Sequence, residues 1–383
     1  MRSRPLALLS ALPLLFVLVA PAFAQSTAPV ARAYVSTPLA VEGFAVAADG
    51  RLTPLPGSPY PGISLTHMSI AKGYLFGSGA DAGTVYSFSI GSDGALALND
   101  VVDAGLNDQC SKMTSTQVDR TGSTLYVMES GCSGSSEYNI QAFAISSKGK
   151  LQFLGNIGEG GPDIAPGPSQ LYFTGDNKYA YQLQCLNPPP LESIDWGFKR
   201  ESTGFLDEMS FELNGFLEET IEDCYITTDD YGHVAIAMKR WDYEEPGGYT
   251  YDGYAKVDSM TVESNGTLSS THEYDVRGID LANGDVTAMS ISPAGNLLAV
   301  GGMGFQIYRF EGGDPIEYYI TQSVLQPNNQ FLEFGWDQSN HLYALSKDGV
   351  RVYNITTSSY SEAPGSPVEI SGGVTSLIVT SLP

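Results

Sequence analysis

The sequence predicts an all-β chain: a seven-bladed β-propeller of four-stranded antiparallel blades, closed by the C-terminal strand joining the N-terminal blade. Three observations carry this: a recurring twelve-residue frame, a composition rich in turn and strand formers, and an unfinished repeat at each end. The clearest copy of the frame is Val85–Leu96, V-Y-S-F-S-I-G-S-D-G-A-L. It alternates apolar with small or polar residues, turns at Asp93-Gly94 and restarts on an apolar residue, the pattern of a half-buried strand entering a tight turn.

Written as apolar-x-x-aromatic-x-apolar-x-x-x-Gly-x-Leu, the frame begins at Val41, Val85, Ile140, Asp195, Val257, Ile307 and Val350, with the last two copies degenerate. The intervals run from 43 to 62 residues. Periods of roughly 40–50 residues with several strands each belong to propeller blades rather than to solenoids of short repeats. The 42 glycines and 22 tyrosines suit short strands joined by tight turns.

A strand–turn–strand pair precedes most copies of the frame. Met289–Ser292, then Pro293-Ala294-Gly295, then Leu297–Val300 is the plainest, because Pro and Gly mark a turn. Each blade therefore reads as inner strand, second strand, third strand (the frame) and outer strand. Before Val41 there is room for one strand, Ala33–Ser36, so the first blade lacks its innermost member. After the last outer strand comes Val374–Val379, apolar and without a blade of its own. Placing this tail innermost in the first blade closes the ring and removes an open sheet edge. Two β-sandwich domains are the competing architecture, but a sandwich has no need of a shared period.

Residues 1–24 read as a secretory signal peptide: Arg2 and Arg4, an apolar run from Leu6 to Ala20, and Ala22-Phe23-Ala24 before the cut. Residues 25–383 form one propeller domain in this reading, secreted or periplasmic, with no membrane span once the leader is removed. The formal net charge of −24 repels nucleic acid and anionic lipid. A small molecule or a protein is the expected partner, and a monomer the expected state.

Gly50–Pro59, G-R-L-T-P-L-P-G-S-P, joins the G-x-L of the frame to a Pro-Gly-Ser-Pro string that recurs at Pro364–Pro367. With the Ser-Pro-x-Gly turn at Ser292–Gly295, this resembles the lactonase family of seven-bladed propellers, whose members are 6-phosphogluconolactonase-like (YVTN-like) and muconate-cyclising-like. The resemblance implies the propeller architecture and, at the channel mouth, lactone chemistry. Many members of that family enter the inner strand through Gly-Pro-His-Pro. Here the matching places are Leu65-Thr66-His67, Lys112-Met113-Thr114, Pro168-Ser169-Gln170 and Asp285-Val286-Thr287, and of the histidines His67 alone is retained.

One residue from each inner strand gives a candidate rim of His67, Ser115, Gln170, Tyr225, Ala288, Glu333 and Thr375. His67 and Glu333 are the candidate catalytic pair, a base and a carboxylate able to act on a cyclic ester. Ser115, Gln170, Tyr225 and Thr375 are candidate ligand-binding positions. The competing reading is a polar, water-filled rim of the kind every propeller has. Cys110 precedes an inner strand and Cys132 follows its hairpin partner, while Cys185 leaves one blade and Cys224 enters the next. Disulfides Cys110–Cys132 and Cys185–Cys224 are the pairings expected in an oxidising compartment. No C-x-x-C, Ca²⁺-loop, serine-hydrolase elbow or phosphate-loop motif occurs, so no metal and no cofactor is expected. The scarcity of Lys and Arg at the inferred mouth argues against a phosphorylated substrate.

The leading functional expectation is a lactonase-like propeller that binds a small molecule or protein partner at its mouth. Lactone hydrolysis by His67 and Glu333 is the alternative. An envelope interaction scaffold using the acidic loops 207–258 is a third.

Overall fold

A computed structural model describes residues 28–79, 83–104, 112–130, 139–157, 170–184, 194–209, 213–214, 221–244, 248–270, 277–281, 285–319, 323–356 and 358–382. Strands recur in the order the frame requires: inner, second, third and outer, each antiparallel to the last. The simplest sheets are Leu65–Ala71, Tyr74–Gly79, Thr84–Ile90 and Leu96–Asp103, then Lys112–Val118, Thr124–Ser130, Asn139–Ile145 and Leu151–Ile157. Tyr172–Phe173, Tyr179–Gln184, Ile194–Arg200 and Leu206–Met209 make a third of the same kind. The molecule is an all-β propeller with four-stranded antiparallel blades.

The sheet count differs from the expectation of seven separate sheets. Among the described residues the strands group into six, of which five are individual blades and one is eight-stranded. In that large sheet Leu297–Arg309 pairs with Leu325–Trp336 through Met303↔Gln330 and Phe305↔Leu325, with a register shift between them. That short bridge joins two up-and-down groups of strands. Leu297–Arg309 runs through Gly301–Gly304 as one 13-residue element, so the second strand passes into the Ile307 copy of the frame without a break.

The ends meet. Ser376–Ser381 pairs antiparallel with Ala31–Ser36, in register from Ala31↔Ser381 to Ser36↔Ser376, and becomes the innermost strand of the N-terminal sheet. Its span lies two residues beyond the apolar stretch Val374–Val379, because Thr375 is used as a connector, its amide bonding the Ser36 carbonyl at 2.8 Å.

The glycine of the frame has a specific task. Gly50, Gly94, Gly149, Gly204 and Gly266 have φ of 81°, 88°, 67°, 92° and 92°, a region that side chains other than Gly rarely occupy. Each closes a four-residue turn by donating its amide three residues back, as Gly94 does to Gly91 at 2.9 Å. The same turn docks on the preceding blade. Tyr34 donates its hydroxyl to the Gly94 carbonyl, Tyr126 to Gly204 and Tyr181 to Gly266, at 2.8, 2.7 and 2.8 Å. Phe76 stands where the matching tyrosine would be in the second sheet. There the residue paired opposite, Ser87, supplies the hydroxyl instead, reaching the Gly149 carbonyl at 2.7 Å.

Both Pro-Gly-Ser-Pro strings do one job. The hydroxyl oxygen of Ser58 accepts the Gly43 amide at 2.9 Å, and that of Ser366 accepts the Val352 amide at 3.0 Å, so each satisfies a third-strand donor that the short outer strand leaves unpaired. Apolar side chains pack face to face between successive blades rather than in one central core. Tyr34, Val41 and Leu55 meet Leu65, Leu75 and Phe88, for example, and Tyr343 and Val352 meet Ala33 and Phe44.

Candidate functional site

The start of each inner strand points to the ring axis, where hydroxyl and amide groups knit neighbouring strands. The Thr116 hydroxyl donates to the His67 carbonyl at 3.0 Å and Ser69 to the Thr116 carbonyl at 2.8 Å. Thr375 donates to Leu65 and Thr287 to Phe331 in the same way. Inside this ring lie two adjoining cavities of ≈ 450 and ≈ 170 Å³ that share Gln117, Arg120, Gln170, Ser290, Glu333 and Phe334.

His67 lines the larger cavity, Tyr225 and Ala288 the smaller, and Gln170 and Glu333 both. Ser115 and Thr375 line neither. Ser115 is fully buried behind the strand, one step out of phase, while Thr116 and Gln117 face the cavity. Thr375 is spent on the Leu65 carbonyl, and Leu377, Ile378 and Val379 line the cavity after it. His67 and Glu333 thus share a cavity, but the strand Ser376–Ser381 stands between theirs.

Glu333 is the most perturbed acid of the channel. Its Oε2 accepts the Leu377 amide at 2.6 Å, a bond from the closing strand. Burial pushes its carboxyl up to about 7, against the partial offset of that amide and the Ser376 hydroxyl, since a desolvated carboxylate is costly. Tyr172 and Tyr225 stand beside it with ring centroids 6.5 Å apart and planes at 62°. The Tyr172 hydroxyl donates to Gln170 Oε1 at 2.9 Å. Burial raises both phenols, Tyr225 to about 12, and the Glu333 charge adds to the effect.

Arg120, which the sequence does not single out, lines both cavities. Its guanidinium donates to the Phe173 carbonyl at 3.0 Å, Thr228 Oγ1 at 2.8 Å and the Asp229 carbonyl at 3.0 Å, and it pairs with Asp230. Burial lowers its pKa, and the charges of Asp230 and Asp229 oppose the change. Next to it, buried Asp119 collects Thr121, Ser123, Thr124 and Asn177 and pairs with Arg200 at 2.8 Å. Burial alone would raise Asp119, but these donors and Arg200 bring it below the usual carboxylate range. The visible signal was a polar D-R-T-G-S-T turn after an inner strand.

His233 and His341 are each paired with an aspartate four residues earlier. Asp229 Oδ2 meets His233 Nδ1 at 2.7 Å, and Asp337 Oδ2 meets His341 Nδ1 at 2.6 Å, in matching D-x-x-x-H turns. His272 lies outside the described residues. So do Cys110, Cys132 and Cys185, together with the side chain of Cys224 in the strand Ile221–Thr228; the expected bridges fall there. Among the described residues no group of three or more His, Cys, Asp and Glu is placed to hold a metal ion, and no helix is long and apolar enough to cross a membrane.

This fold and channel define the chain as a β-propeller. No protein-family model matches it, and no curated protein matches its sequence. Solved structures match its fold. A periplasmic gluconolactonase from Pseudomonas aeruginosa superposes with a TM-score of 0.65 at 13% identity, covering 92% of this chain and 100% of that one. A protein from Bacteroides fragilis assigned provisionally as a 6-phosphogluconolactonase gives 0.63 at 12% identity, covering 93% and 99%. Its counterpart from Bacteroides uniformis gives 0.62 at 12%, covering 92% and 99%. At this level of identity the shared property is the lactonase-like propeller fold.

Proposed function

We propose that the chain is an exported, seven-bladed lactonase-like propeller whose central channel binds a small molecule, with Glu333 as the anchoring side chain. Support for seven blades comes from the eight-stranded sheet, whose two halves, among the described residues, pair through the short Met303 and Phe305 bridge and pack a core between Ala299, Ile307, Phe331 and Leu342. Support for export comes from the leader-like residues 1–24 and from the periplasmic location of one structural neighbour.

The observation that carries the binding reading is a carboxyl group tied by one oxygen to the closing strand while its residue lines both cavities, beside two tyrosine rings and Gln170. A concave site with a few convergent polar groups and a perturbed acid is the usual form of a ligand pocket. A metabolite panel screened by thermal shift tests it. Ligands that stabilise the native chain should lose their effect in Glu333→Gln; equal stabilisation of both chains overturns the assignment.

Lactone hydrolysis is the second reading, favoured by a carboxyl poised near neutrality in the cavity that also holds His67. Glu333 in its ionised form would draw the proton from an attacking water. Turnover of a lactone panel should then vanish in Glu333→Gln and fall in His67→Ala. The scaffold reading is supported by one feature: Val234–Glu244 and Gly248–Val262 form a hairpin of 11 and 15 residues, longer than the six to eight of the strands in the Leu65–Asp103 sheet. Shortening this hairpin between residues 239 and 254 should abolish a protein partnership and leave channel ligands unaffected.

A further inference from the structure

We propose that the channel selects an organic cation, a small alkylammonium or primary amine, seated between the Glu333 carboxylate and the Tyr172 and Tyr225 rings. The proposal rests on the channel-binding reading above and narrows it to one ligand class.

Charge accounting comes first. The ionisable side chains lining the two cavities are His67, Asp119, Arg120, Asp230 and Glu333, with the phenols Tyr172 and Tyr225. Arg120 is consumed by Asp230, Thr228 and two backbone carbonyls, and Asp119 is answered by Arg200. Glu333 is different. Among the described residues it forms no ion pair; the Leu377 amide and the Ser376 hydroxyl that act on it bring no charge. The channel therefore holds a buried acid without a counter-charge and offers no free cation to an anionic ligand.

The walls suit the same ligand. Tyr172 and Tyr225, set at 62° to each other, form two sides of a corner, and Phe334 lines both cavities. Aromatic faces attract cations through their quadrupoles, the more so away from water. With 43 acidic against 19 basic residues, the chain surrounds the channel with a negative field that draws cations in and repels phosphorylated or carboxylate ligands.

A proton linkage follows. Burial keeps Glu333 substantially protonated up to about pH 7, and an arriving cation favours the ionised form. Binding should therefore release a proton below neutrality and tighten as pH rises through 7, levelling off above. Of the other groups facing the cavities, His67 alone belongs to a type that ordinarily titrates in this window, so His67→Gln is the control.

Isothermal titration of the full chain without its leader, with tetramethylammonium, butylammonium, glucono-δ-lactone and 6-phosphogluconate, tests the proposal. An ammonium ion should bind, and its affinity should fall by about tenfold or more in Glu333→Gln, as expected for loss of a desolvated charge partner. Tyr225→Leu should weaken binding while Tyr225→Phe spares it, separating the ring from the hydroxyl. The pH dependence should persist in His67→Gln and disappear in Glu333→Gln, with circular dichroism showing that each variant is folded. Binding of the neutral lactone without the ammonium ions, or ammonium binding unchanged in Glu333→Gln, overturns the cation assignment and leaves channel binding standing. Binding of no probe, together with a metabolite panel that finds no channel ligand, overturns both.

Discussion

The Glu333 carboxylate accepts the Leu377 amide at 2.6 Å, a hydrogen bond that links the candidate site to the strand that closes the ring. The acid that would hold a ligand is also the acceptor that seats the C-terminal strand. Binding and closure are therefore coupled through one side chain, and both depend on its protonation.

That coupling gives a sign for the pH dependence of stability. Glu333 has a folded pKa of about 7, above its ordinary value, so the folded chain holds this proton more tightly than the unfolded one. Its ionisation therefore costs nothing below the unfolded pKa and destabilises progressively as pH rises to 7, by up to about 3 kcal/mol. Glu333→Gln should remove this slope: relative to the native chain it should gain stability at pH 8 and gain none at pH 4. Urea denaturation at both values checks this, and parallel curves would show that Glu333 is not the responsible group.

Removing Ser376–Pro383 should strip the innermost strand from the N-terminal sheet and leave Ala31–Ser36 as an open edge. The truncated chain should lose its single cooperative unfolding transition and its near-ultraviolet circular dichroism. A synthetic peptide of residues 374–383 should restore both by strand addition. A truncated chain that melts like the intact one would show that closure contributes little.

Much of this was legible in the residues because turn chemistry is local. The frame glycine announces a turn, and the unfinished repeats at Ala33 and Val374 announce closure. What was not legible depends on phase and on distant partners. Ser115 and Thr116 are equally plausible channel residues in sequence, and one residue of register exchanges the buried and the channel face. Arg120 bonds residues 53 and more positions away, which no local pattern encodes. Asp229 and His233, like Asp337 and His341, repeat a D-x-x-x-H spacing that was visible, but its meaning comes from the turn geometry that brings the two side chains together. The merging of two blades into one sheet arises from a two-pair bridge at Met303 and Phe305, just before a degenerate copy of the frame.

The blade latches invite a compensation experiment. Tyr126→Phe should cost about 1 kcal/mol, the usual value of a buried neutral hydrogen bond. Ser87→Ala should cost a similar amount because Ser87 replaces the hydroxyl that Phe76 lacks. In the Ser87→Ala background, Phe76→Tyr should recover most of the loss, as the new hydroxyl reaches the Gly149 carbonyl by the route Tyr126 uses for Gly204. Chemical denaturation of the four chains gives the coupling, and strict additivity would disprove the exchange.

Arg120→Met should loosen the wall that the two cavities share. It leaves the Asp229 carbonyl without this donor, while the Phe173 carbonyl keeps the Thr228 hydroxyl, and costs roughly 1–3 kcal/mol. Arg120→Lys should rescue little, since an ammonium cannot reproduce a planar fork bonded to four groups. Thermal melts of both variants check this; full rescue by lysine would mean that charge alone matters there.

The two Asp–His turns separate by burial. His341 is 3% exposed with Asp337 at 1%, whereas His233 is 36% exposed over Asp229 at 2%. Asp337 also accepts the Tyr343 hydroxyl at 2.8 Å and the Ser339 and His341 amides, so its removal orphans several buried donors at once. Asp337→Asn should therefore cost roughly 2–4 kcal/mol near neutrality and Asp229→Asn about half as much. Burial would raise the Asp337 carboxyl, but the side chain and amide of His341 and the Tyr343 hydroxyl hold it below the usual carboxylate range. A carboxylate held low contributes stability above its unfolded pKa and loses it as pH falls through the folded value. The deficit of Asp337→Asn should accordingly shrink as denaturation is repeated toward pH 2. A deficit that stays constant down to that pH would show that packing around Tyr343, rather than the charge on Asp337, carries the effect.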